Sequence, residues 1–489
     1  MKFPKGFNLI KTPLPFQAKS IIYGIIKETP GLLLGVGLGK TMVAINIARF
    51  RIQFSGVDKV LILAPPSIMY NWSKEIGKFS EYESIILHGD RQEREYRLKY
   101  FKKDPNLRFG VINYEGLQPF LKDIRKVNIN MIIADESARF LKNPFTGRTK
   151  ATIFLGEYTK YRSILTATPI AHKPIDVWSQ FRFLDRGRLF TDNFFRFRNT
   201  FFTRQKFPRY VQYTIDPKKI TDMNKRIYST CIRFTKKDVK EELKEFYGVD
   251  VLTEHAYQII KIKMDISLGN LYESVKKHIL AEIETLSGTA RLSMTSVFTK
   301  LIRLQQITSG FTLKGNKVAY LMQRPKLEVL LEEVESIIDA EESCIIWCKF
   351  RHSMNFISKE LEKKNILSYY MSGDDNPKEK EKKWRGFQQS DIVNVFIGQI
   401  KAGGIGIELF KLDSTESKSQ TTIFYENEWA LEVREQAEGR IDRIGQRSLC
   451  RYVDLIVEDT IDERILTSIR DGQEIANRIL KQGVRGFLR

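Results

Sequence analysis

The chain has 489 residues, of which 42% are apolar and 11% aromatic, and it carries a formal net charge of +21 at pH 7. This composition excludes an intrinsically disordered chain, and the length predicts two to four domains. The positive excess favours a polyanionic partner such as nucleic acid, and the alternative is a solvated, lysine-rich surface.

Cysteine content and hydropathy exclude further classes. Four cysteines are too few for a disulfide scaffold in this length, so we expect a reducing compartment and no disulfide-linked partner. Cys344, Cys348 and His352 are spaced by four, but a zinc site needs about four convergent ligands, and the apolar run "SCIIWCKF" favours buried thiols. The N-terminus lacks the apolar region of a signal peptide, and no apolar run reaches the length of a membrane span. We therefore expect a soluble, cytoplasmic protein.

The first motif along the chain is "LLLGVGLGKT" (32–41), which is followed by "MVAINIARF" with helical spacing. A strand, a glycine-rich turn and a helix are the setting of a phosphate-binding loop. Gly37 and Gly39 would let backbone N–H groups face phosphate oxygens at the helix N-terminus. We expect Lys40 to pair with β and γ phosphates and the Thr41 hydroxyl to bind Mg²⁺. The alternative is a glycine-rich turn with a chance Lys-Thr.

Short runs rich in Val, Ile and Leu then alternate with helical patterns, which predicts a parallel sheet covered on both faces. The predicted strands of this first series are "VLILAP" (60–65), "FGVINYE" (109–115), "MIIADES" (131–137) and "YRSILTATP" (161–169). A second series starts near Lys326 and comprises "CIIWCKF" (344–350), "LSYYMSG" (367–373), "NVFIGQI" (394–400), "TTIFYE" (421–426) and "RYVDLIVED" (451–459). Two α/β domains of similar size are therefore expected.

A pair of acidic residues, Asp135 and Glu136, ends one predicted strand of the first series. In P-loop ATPases an acidic residue at this place holds Mg²⁺. The adjacent Glu136 could orient and deprotonate an attacking water. The alternative is an acidic turn at the end of a strand.

The middle of the chain has no buried-strand runs and contains the aromatic and basic stretch "NFFRFRNTFFTRQKFPRY" (193–210). Phe194, Phe197 and Phe201 share a helical face and are expected to pack inward, although rings could instead stack on bases or wedge a junction. The cations proposed to meet DNA phosphates are Arg196, Arg198, Arg204 and Lys206.

A third motif, "EQAEGRIDRIGQ" (435–446), lies in the second series. Arg440 and Arg443 are three apart and are predicted to share a helical face. Guanidinium groups suit bidentate contact with a transferring phosphoryl group, and the alternative is a surface helix with ordinary salt bridges.

Eight motifs occur in the order of superfamily 2 helicases and resemble most closely those of the Snf2-like branch of DNA translocases. The compact size of the chain is similar to that of the Snf2-like helicases of T5-type bacteriophages. The resemblance covers residues 12–465. Its motifs are "LPFQ", "GLGKT", "APPSIMYNWSKEI", "DES…KNPFTGRTKA", "LTATPI…DVWSQFRFL", "CIRFTKKDV", "KAGGIGIEL" and "QAEGRIDRIGQ".

The resemblance implies an α/β fold with two RecA-like lobes. The implied divisions are an ATP-binding lobe at 1–185, a mainly helical basic insertion at 186–325, a second lobe at 326–460 and a C-terminal helical brace at 461–489. It also implies that ATP and Mg²⁺ are the cofactors.

The resemblance assigns further roles. Gln17 would read adenine, Gln446 would lie near the nucleotide, and Arg440 and Arg443 would act as arginine fingers from the second lobe. The residues expected to couple the ATP site to DNA are Thr166, Thr168 and Pro169. Those in segments that line the DNA backbone in this family are Pro65, Ser67, Asn113, Tyr114, Gly403 and Gly404.

Some positions depart from the family pattern. Leu34 and Gly35 stand where acidic residues are usual, and Ala138 stands where His is common. Ala167 and His172 replace a frequent Gly and Asn, and His172 is expected to be a polar turn residue.

The implied function is an ATP-dependent motor that translocates on DNA and unwinds or branch-migrates forked or junction DNA in replication, recombination or repair. Duplex, fork or branched DNA is the expected partner, together with other replication or recombination proteins, in the bacterial host cytoplasm if the chain is phage-encoded. The alternatives are a duplex translocase that displaces or remodels DNA-bound proteins without separating strands, and an inactive ATPase that serves as a DNA-binding scaffold.

Overall fold

The computed structural model describes residues 3–170, 173–206, 211–247, 255–289, 294–315, 317–403, 409, 419–442, 449–471, 484 and 486–488. Within these ranges the chain forms two compact units, Met1–Val251 and Leu252–Arg489.

The first unit contains strands and helices in alternation. Its strands are β1 Gly31–Leu34, β2 Lys59–Ala64, β3 Glu83–Ile86, β4 Leu107–Asn113, β5 Ile129–Asp135, β6 Tyr161–Leu165, β7 Phe202–Lys206, β8 Val211–Ile215 and β9 Cys231–Phe234. Its helices are α1 Pro15–Ile26, α2 Lys40–Phe54, α3 Met69–Phe79, α4 Arg91–Lys103, α5 Tyr114–Leu117, α6 Leu121–Ile124, α7 Ser137–Phe140, α8 Gly147–Tyr158, α9 Val177–Asp185, α10 Phe194–Phe201, α11 Ile220–Ser229 and α12 Lys236–Tyr247.

Seven of these strands form one parallel sheet in the order β3-β4-β2-β5-β6-β1-β9. The central strands β1, β2 and β6 are buried along their whole length because helices cover both faces. Since the strands are parallel, the loops that follow β1, β2, β4, β5 and β6 leave from one edge of the sheet. The predicted motifs of the first series all lie at this edge. Strands β7 and β8 form a separate antiparallel hairpin.

The second unit has its own parallel sheet, in the order β10-β17-β16-β13-β15-β14, and an antiparallel hairpin of β11 and β12. Its strands are β10 His255–Ile262, β11 Phe311–Lys314, β12 Lys317–Tyr320, β13 Ser343–Cys348, β14 Ser368–Met371, β15 Val395–Gln399, β16 Ser419–Phe424 and β17 Cys450–Val457. Its helices are α13 Ile266–Thr289, α14 Met294–Thr308, α15 Pro325–Asp339, α16 Arg351–Lys363, α17 Pro377–Gln389, α18 Ile400–Gly403, α19 Leu431–Glu438 and α20 Ile461–Arg470.

Strand β13 shows why both faces of the second sheet are covered. Its residues Cys344, Ile346 and Cys348 belong to one buried cluster, whereas Ile345 and Trp347 belong to another. Side chains alternate between the two faces of a strand, so an unbroken apolar run needs helices on both sides. The prediction of two parallel-sheet α/β lobes is confirmed.

The middle of the chain differs from its prediction. The segment 186–325 was expected to be a mainly helical insertion, but β9 pairs with β1 in the first sheet and β10 pairs with β17 in the second. These strands escape sequence patterns because they are only partly buried, so they lack a continuous apolar run. The structure therefore divides the chain near residue 251 rather than at 185 and 325.

The structure also bears on the expectations about the cysteines, membrane-spanning helices and the C-terminal segment. All four cysteines are buried, free thiols, and burial raises the pKa of Cys344 to about 12. Within the described ranges, no helix combines the length and apolar character needed to cross a bilayer. Of the segment 461–489 that was predicted to form a C-terminal helical brace, α20 covers Ile461–Arg470, and residues 472–483, 485 and 489 lie outside the described ranges.

Candidate active site

The loop that is predicted to bind phosphate connects β1 to α2, so the expected setting of strand, glycine-rich turn and helix is present. Gly37 and Gly39 have φ of 84° and 78°, in the left-handed region that residues with a side chain rarely adopt. Gly39 is the N-cap of α2, and the first turn of a helix carries N–H groups that have no acceptor within the helix. This terminus suits an anionic group because its N–H donors and the helix dipole act together.

Lys40 begins α2 and turns back across the loop. Its Nζ donates hydrogen bonds to the carbonyl oxygens of Leu34 and Gly35, at 2.9 and 3.4 Å. These are neutral acceptors, and a phosphate oxygen would be a stronger partner for the ammonium group. The loop therefore holds a cation where the predicted phosphates would bind.

Gln17 supports the same loop from α1. Its Oε1 accepts from the N–H of Leu14 at 3.0 Å, and its Nε2 donates to the carbonyl of Leu38 at 3.1 Å. A Cβ at position 39 would lie 2.5 Å from Gln17 Nε2, so the amide packs directly on Gly39. The structure gives Gln17 a role in shaping the loop, and its reading of adenine stays a prediction.

Asp135 ends β5 and is buried. Its Oδ2 accepts from Trp72 Nε1 at 2.8 Å, and its Oδ1 accepts from the N–H of Glu136 at 2.9 Å. Burial raises the pKa of Asp135 to about 7, and the charge of Glu136 adds to the rise, whereas Trp72 and Lys40 oppose it. The carboxyl group therefore titrates near neutral pH, and a bound cation would favour its ionised form.

The donors at this edge fit a magnesium ion. Mg²⁺ prefers oxygen ligands and usually binds through one or two carboxylates together with substrate phosphates. Asp135 provides a carboxylate that senses the charge of Lys40, and Thr41 provides a hydroxyl in the first turn of α2. Among the residues that the structure describes, no group of three or more His, Cys, Asp or Glu side chains could hold a metal.

Glu136 has an unusual backbone conformation, with φ of 49°. A non-glycine residue there costs of order 1 kcal/mol or more, and such strain is concentrated at functional sites. The turn separates its half-buried side chain from the buried side chain of Asp135 and starts α7. This geometry is compatible with the predicted role of Glu136 as a general base.

A chain of buried hydrogen bonds leads away from Glu136. Ser137 Oγ donates to Gln180 Oε1 at 2.9 Å, and Gln180 Nε2 donates to the carbonyl of Pro169 at 2.7 Å. Thr166 Oγ1 donates to the carbonyl of Thr168 at 2.9 Å within the same segment. The predicted coupling segment is thus bonded to the turn that carries Glu136. His172 lies outside the described residues.

Two residues of this site were missed from the sequence, because Trp72 and Gln180 lie within quoted motifs but were given no role. Tyr114, in the predicted strand "FGVINYE", was given a different role. The available signal was a polar group at a position that helical spacing places in the core, as for Gln180 in α9.

Tyr114 corrects one prediction. It was expected to line DNA, but its ring is fully buried and stacks on Phe140 with centroids 4.8 Å apart. Its hydroxyl donates to the carbonyl of Asp135 at 2.6 Å. The side chain therefore supports the acidic turn and is not available to a ligand.

The other predicted DNA-facing positions of the first unit have varied surroundings. Pro65 is buried after β2, and Ser67 belongs to a short 3₁₀ turn, Pro66–Ile68. Asn113 is the last residue of β4, and its buried Oδ1 finds no hydrogen-bond donor among the described residues. Arg196 and Arg204 are exposed.

The remaining predicted contacts lie elsewhere. Arg198 Cζ lies 4.1 Å from the ring centroid of Tyr213. The backbone of Lys206 ends β7, and Gly403 ends α18 in the second unit. Gly404 lies outside the described residues.

The structure contradicts a second prediction, that Arg440, in the second unit, lies on a helical face. Helix α19 ends at Glu438, so Arg440 is in the following turn and not on a helical face. Its side chain is buried, and Nε donates to the carbonyl of Gln436 at 2.8 Å. Arg443 and Gln446 lie outside the described residues.

A buried ion pair anchors α19. Arg434 donates to both carboxylate oxygens of Asp454 in β17, at 2.5 and 3.1 Å, and its guanidinium lies 3.4 Å from the ring centroid of Phe424. Paired forks of this kind fix geometry as well as charge. The helix that leads into Arg440 is therefore tied to the sheet of the second unit.

Phe197 and Phe201 of α10 are buried in the core of the first unit, which confirms that these rings pack inward. Phe194 is partly buried against the same core.

A family model for the SNF2-related domain matches residues 27–311. The chain is 27% identical over 456 residues to YwqA of Bacillus subtilis, which is named as a candidate ATP-dependent helicase/translocase, covering 91% of this chain and 46% of that protein. It is 24% identical to an uncharacterized ATP-dependent helicase of Mycoplasma pneumoniae, with 92% and 40% covered. The chain thus spans less than half the length of these relatives.

Among solved structures, the SWI2/SNF2 ATPase core of Sulfolobus solfataricus in complex with dsDNA is similar, with a TM-score of 0.44 and 22% identity. The alignment covers 99% of this chain and 96% of that one.

Proposed function

The chain belongs to the family of proteins with an SNF2-related domain, and from this premise we propose that it is an ATP-dependent motor that moves on DNA. The observation that supports the proposal best is the arrangement at one edge of the first sheet. There the loop after β1 lies close enough to Asp135, at the end of β5, for Lys40 to lower the pKa of that carboxyl group. Phosphate binding, metal binding and a base then meet in one place.

Each residue has a stated task in ATP hydrolysis. Lys40 and the N–H groups of α2 bind the phosphates, and Thr41 and Asp135 hold magnesium, which when bound neutralises charge on the phosphate oxygens. Glu136 accepts a proton from the attacking water. The role of Arg440 and Arg443 as arginine fingers stays a prediction from the family resemblance.

The buried hydrogen bonds from Ser137 through Gln180 to Pro169 support coupling. Loss of the γ-phosphate changes the interactions of Glu136, and these bonds pass a displacement of that turn to residues 166–169. Buried polar contacts suit this task because breaking one leaves an unsatisfied group, so the two segments move together.

DNA binding rests on the positive charge and on the segments after β2 and β4. Contacts to the phosphate backbone carry little sequence information, so the motor is expected to tolerate any sequence. Affinity should fall steeply as salt rises, because binding releases counterions from DNA.

The finer proposal is that movement separates or branch-migrates the strands of forks and four-way junctions, in replication, recombination or repair. The experiment compares ATP hydrolysis with single strands, duplex, fork and four-way junction, and then follows radiolabelled strands. Strand products that need ATP support the proposal. Displacement of a bound protein without strand products would favour a duplex translocase, and DNA binding with no hydrolysis would favour an inactive scaffold.

The setting is proposed from composition. Four buried free thiols suit a reducing compartment such as the bacterial cytoplasm, and a T5-type phage origin would place the protein in the host.

A further inference from the structure

Three phenylalanine rings form an exposed cluster on the first unit. Phe145, Phe194 and Phe195, here called the aromatic patch, lie with ring centroids 5.5 to 6.1 Å apart. Phe145 is 56% exposed and Phe195 is 52% exposed. The patch therefore presents two rings to solvent, beside the buried rings of α10.

The patch is held in place from behind. Trp178 packs edge-on against Phe194 with centroids 5.5 Å apart, and its Nε1 donates to the carbonyl of Thr191 at 3.0 Å. On the other side, Asn143 Oδ1 accepts from the N–H of Phe145 at 2.9 Å, which fixes the turn that carries this ring. Rings that are fixed before binding lose little entropy when a ligand covers them.

Positive charge surrounds the patch. Arg198 Cζ lies 5.2 Å from the ring centroid of Phe195, and Arg196 is exposed on the same helix. Arg204 is exposed on the neighbouring hairpin, where it pairs in register with Tyr213. Within the described ranges none of these three arginines forms an ion pair with a carboxylate. Arg198 thus borders the apolar rings directly, and Arg196 and Arg204 add exposed positive charge on α10 and on the hairpin that contacts it.

The patch also adjoins a segment that was predicted to line DNA. Arg148 Nη1 donates to Glu115 Oε1 at 2.8 Å, and a Cβ at Gly147 would meet the Gln118 side chain, so the turn of Phe145 packs against residues 113–118. A DNA strand bound along residues 113–118 would therefore pass next to the aromatic patch.

We propose that the aromatic patch is a stacking site for an unpaired nucleobase, with Arg196, Arg198 and Arg204 holding the flanking phosphates. The inference rests on the proposed DNA motor and extends it to single strands. An unpaired nucleotide offers a flat π face and an anionic phosphate together, which matches rings bordered by cations. A duplex hides its base faces, so the patch would act where strands are open.

The test uses a double variant that keeps apolar volume and loses flat rings, Phe145→Leu with Phe195→Leu. The probe is single-stranded DNA with one 2-aminopurine, titrated without ATP. The wild type should quench its fluorescence, and the variant should bind about 5- to 150-fold more weakly with little quenching, because stacking contributes about 1–3 kcal/mol per base. Phe145→Trp with Phe195→Trp should restore both signals.

The control is Phe54→Leu, which changes a ring with 49% exposure that contacts Phe7 and Phe50 in the same unit. This control, and duplex binding by the double variant, should match the wild type. Equal single-strand affinity and quenching in wild type and double variant would overturn the proposal. Unchanged quenching with lost self-association in sedimentation would assign the patch to a second copy and would also overturn it.

Failure of the motor is separable from failure of the patch. If the wild type hydrolyses no ATP with any DNA, the proposed function fails, and the quenching still reports on stacking. If duplex stimulates hydrolysis and the double variant quenches normally, only the patch proposal fails.

Discussion

Replacing Trp72 by Phe tests the electrostatics of the Asp135 carboxyl group. The indole Nε1 donates to Asp135 Oδ2 at 2.8 Å and stabilises the ionised form. A hydrogen bond to a charged group contributes about 1.5–3 kcal/mol, which corresponds to about 1 to 2 pH units. Burial already holds the pKa of Asp135 at about 7, so the variant should titrate near pH 8 to 9.

The assay is the pH profile of kcat/KM for DNA-stimulated ATP hydrolysis, which reports groups of the free enzyme. The acid limb should move to higher pH in Trp72→Phe, and activity at pH 7.5 should fall about 3- to 25-fold, with recovery at pH 9. Trp178→Phe is the matched control, because its Nε1 donates to Thr191, far along the chain from the acidic turn. An acid limb that stays in place in Trp72→Phe would refute the assignment of this titration to Asp135.

Four further results are expected. Asp135→Asn should abolish hydrolysis yet raise the melting temperature at pH 8. Between pH 4 and 7 the folded protein keeps a proton that the unfolded chain has lost, so the ionised carboxyl group destabilises the fold at higher pH by at most about 4 kcal/mol. An unchanged melting temperature would contradict this reasoning. Gly39→Ala should weaken fluorescent-nucleotide binding at least about tenfold, because the left-handed φ of 78° and the Gln17 amide at 2.5 Å both oppose a Cβ; normal titration would count against the loop geometry. Ser137→Ala leaves the buried Gln180 Oε1 without its donor and should reduce the stimulation of hydrolysis by DNA more than the basal rate, measured side by side. Asp454→Ala leaves the Arg434 charge buried and should destabilise the second unit by about 3–5 kcal/mol in urea denaturation, whereas an exposed carboxylate change such as Asp391→Ala should not.

The sequence predicted most of the sheets because their strands are short, buried and rich in branched apolar residues. Strand β5 was expected from "MIIADES" and spans Ile129–Asp135, and the loop from Gly37 to Lys40 lies between a strand and a helix as its motif requires. Strands β9 and β10 were missed because partly exposed edge strands have no continuous apolar run. Their sheet positions depend on pairing with β1 and β17, which local pattern cannot supply.

The motif residues of the candidate site were predictable from the sequence, whereas the buried residues that hydrogen-bond to them were not. Glycine, lysine and paired acids at fixed spacing carry a chemical meaning of their own. Trp72 and Gln180 act through partners 63 and 11 residues away, so their roles appear only once the chain is folded. Tyr114 shows the opposite error, since its motif suggested a DNA contact and packing buries its ring. Helix α19 ends before Arg440, with Gly439, a residue of low helix propensity, as its C-cap.

The most direct test of the motor is DNA-stimulated ATP hydrolysis by the wild type and by Lys40→Ala on one duplex, with circular dichroism to show that both are folded. Lys40 is the cation held across the phosphate-binding loop by the carbonyls of Leu34 and Gly35. We predict that DNA accelerates hydrolysis by the wild type, that Lys40→Ala loses this hydrolysis, and that the variant retains most of its affinity for DNA. Equal turnover by the two proteins would contradict the placement of the active site in this loop.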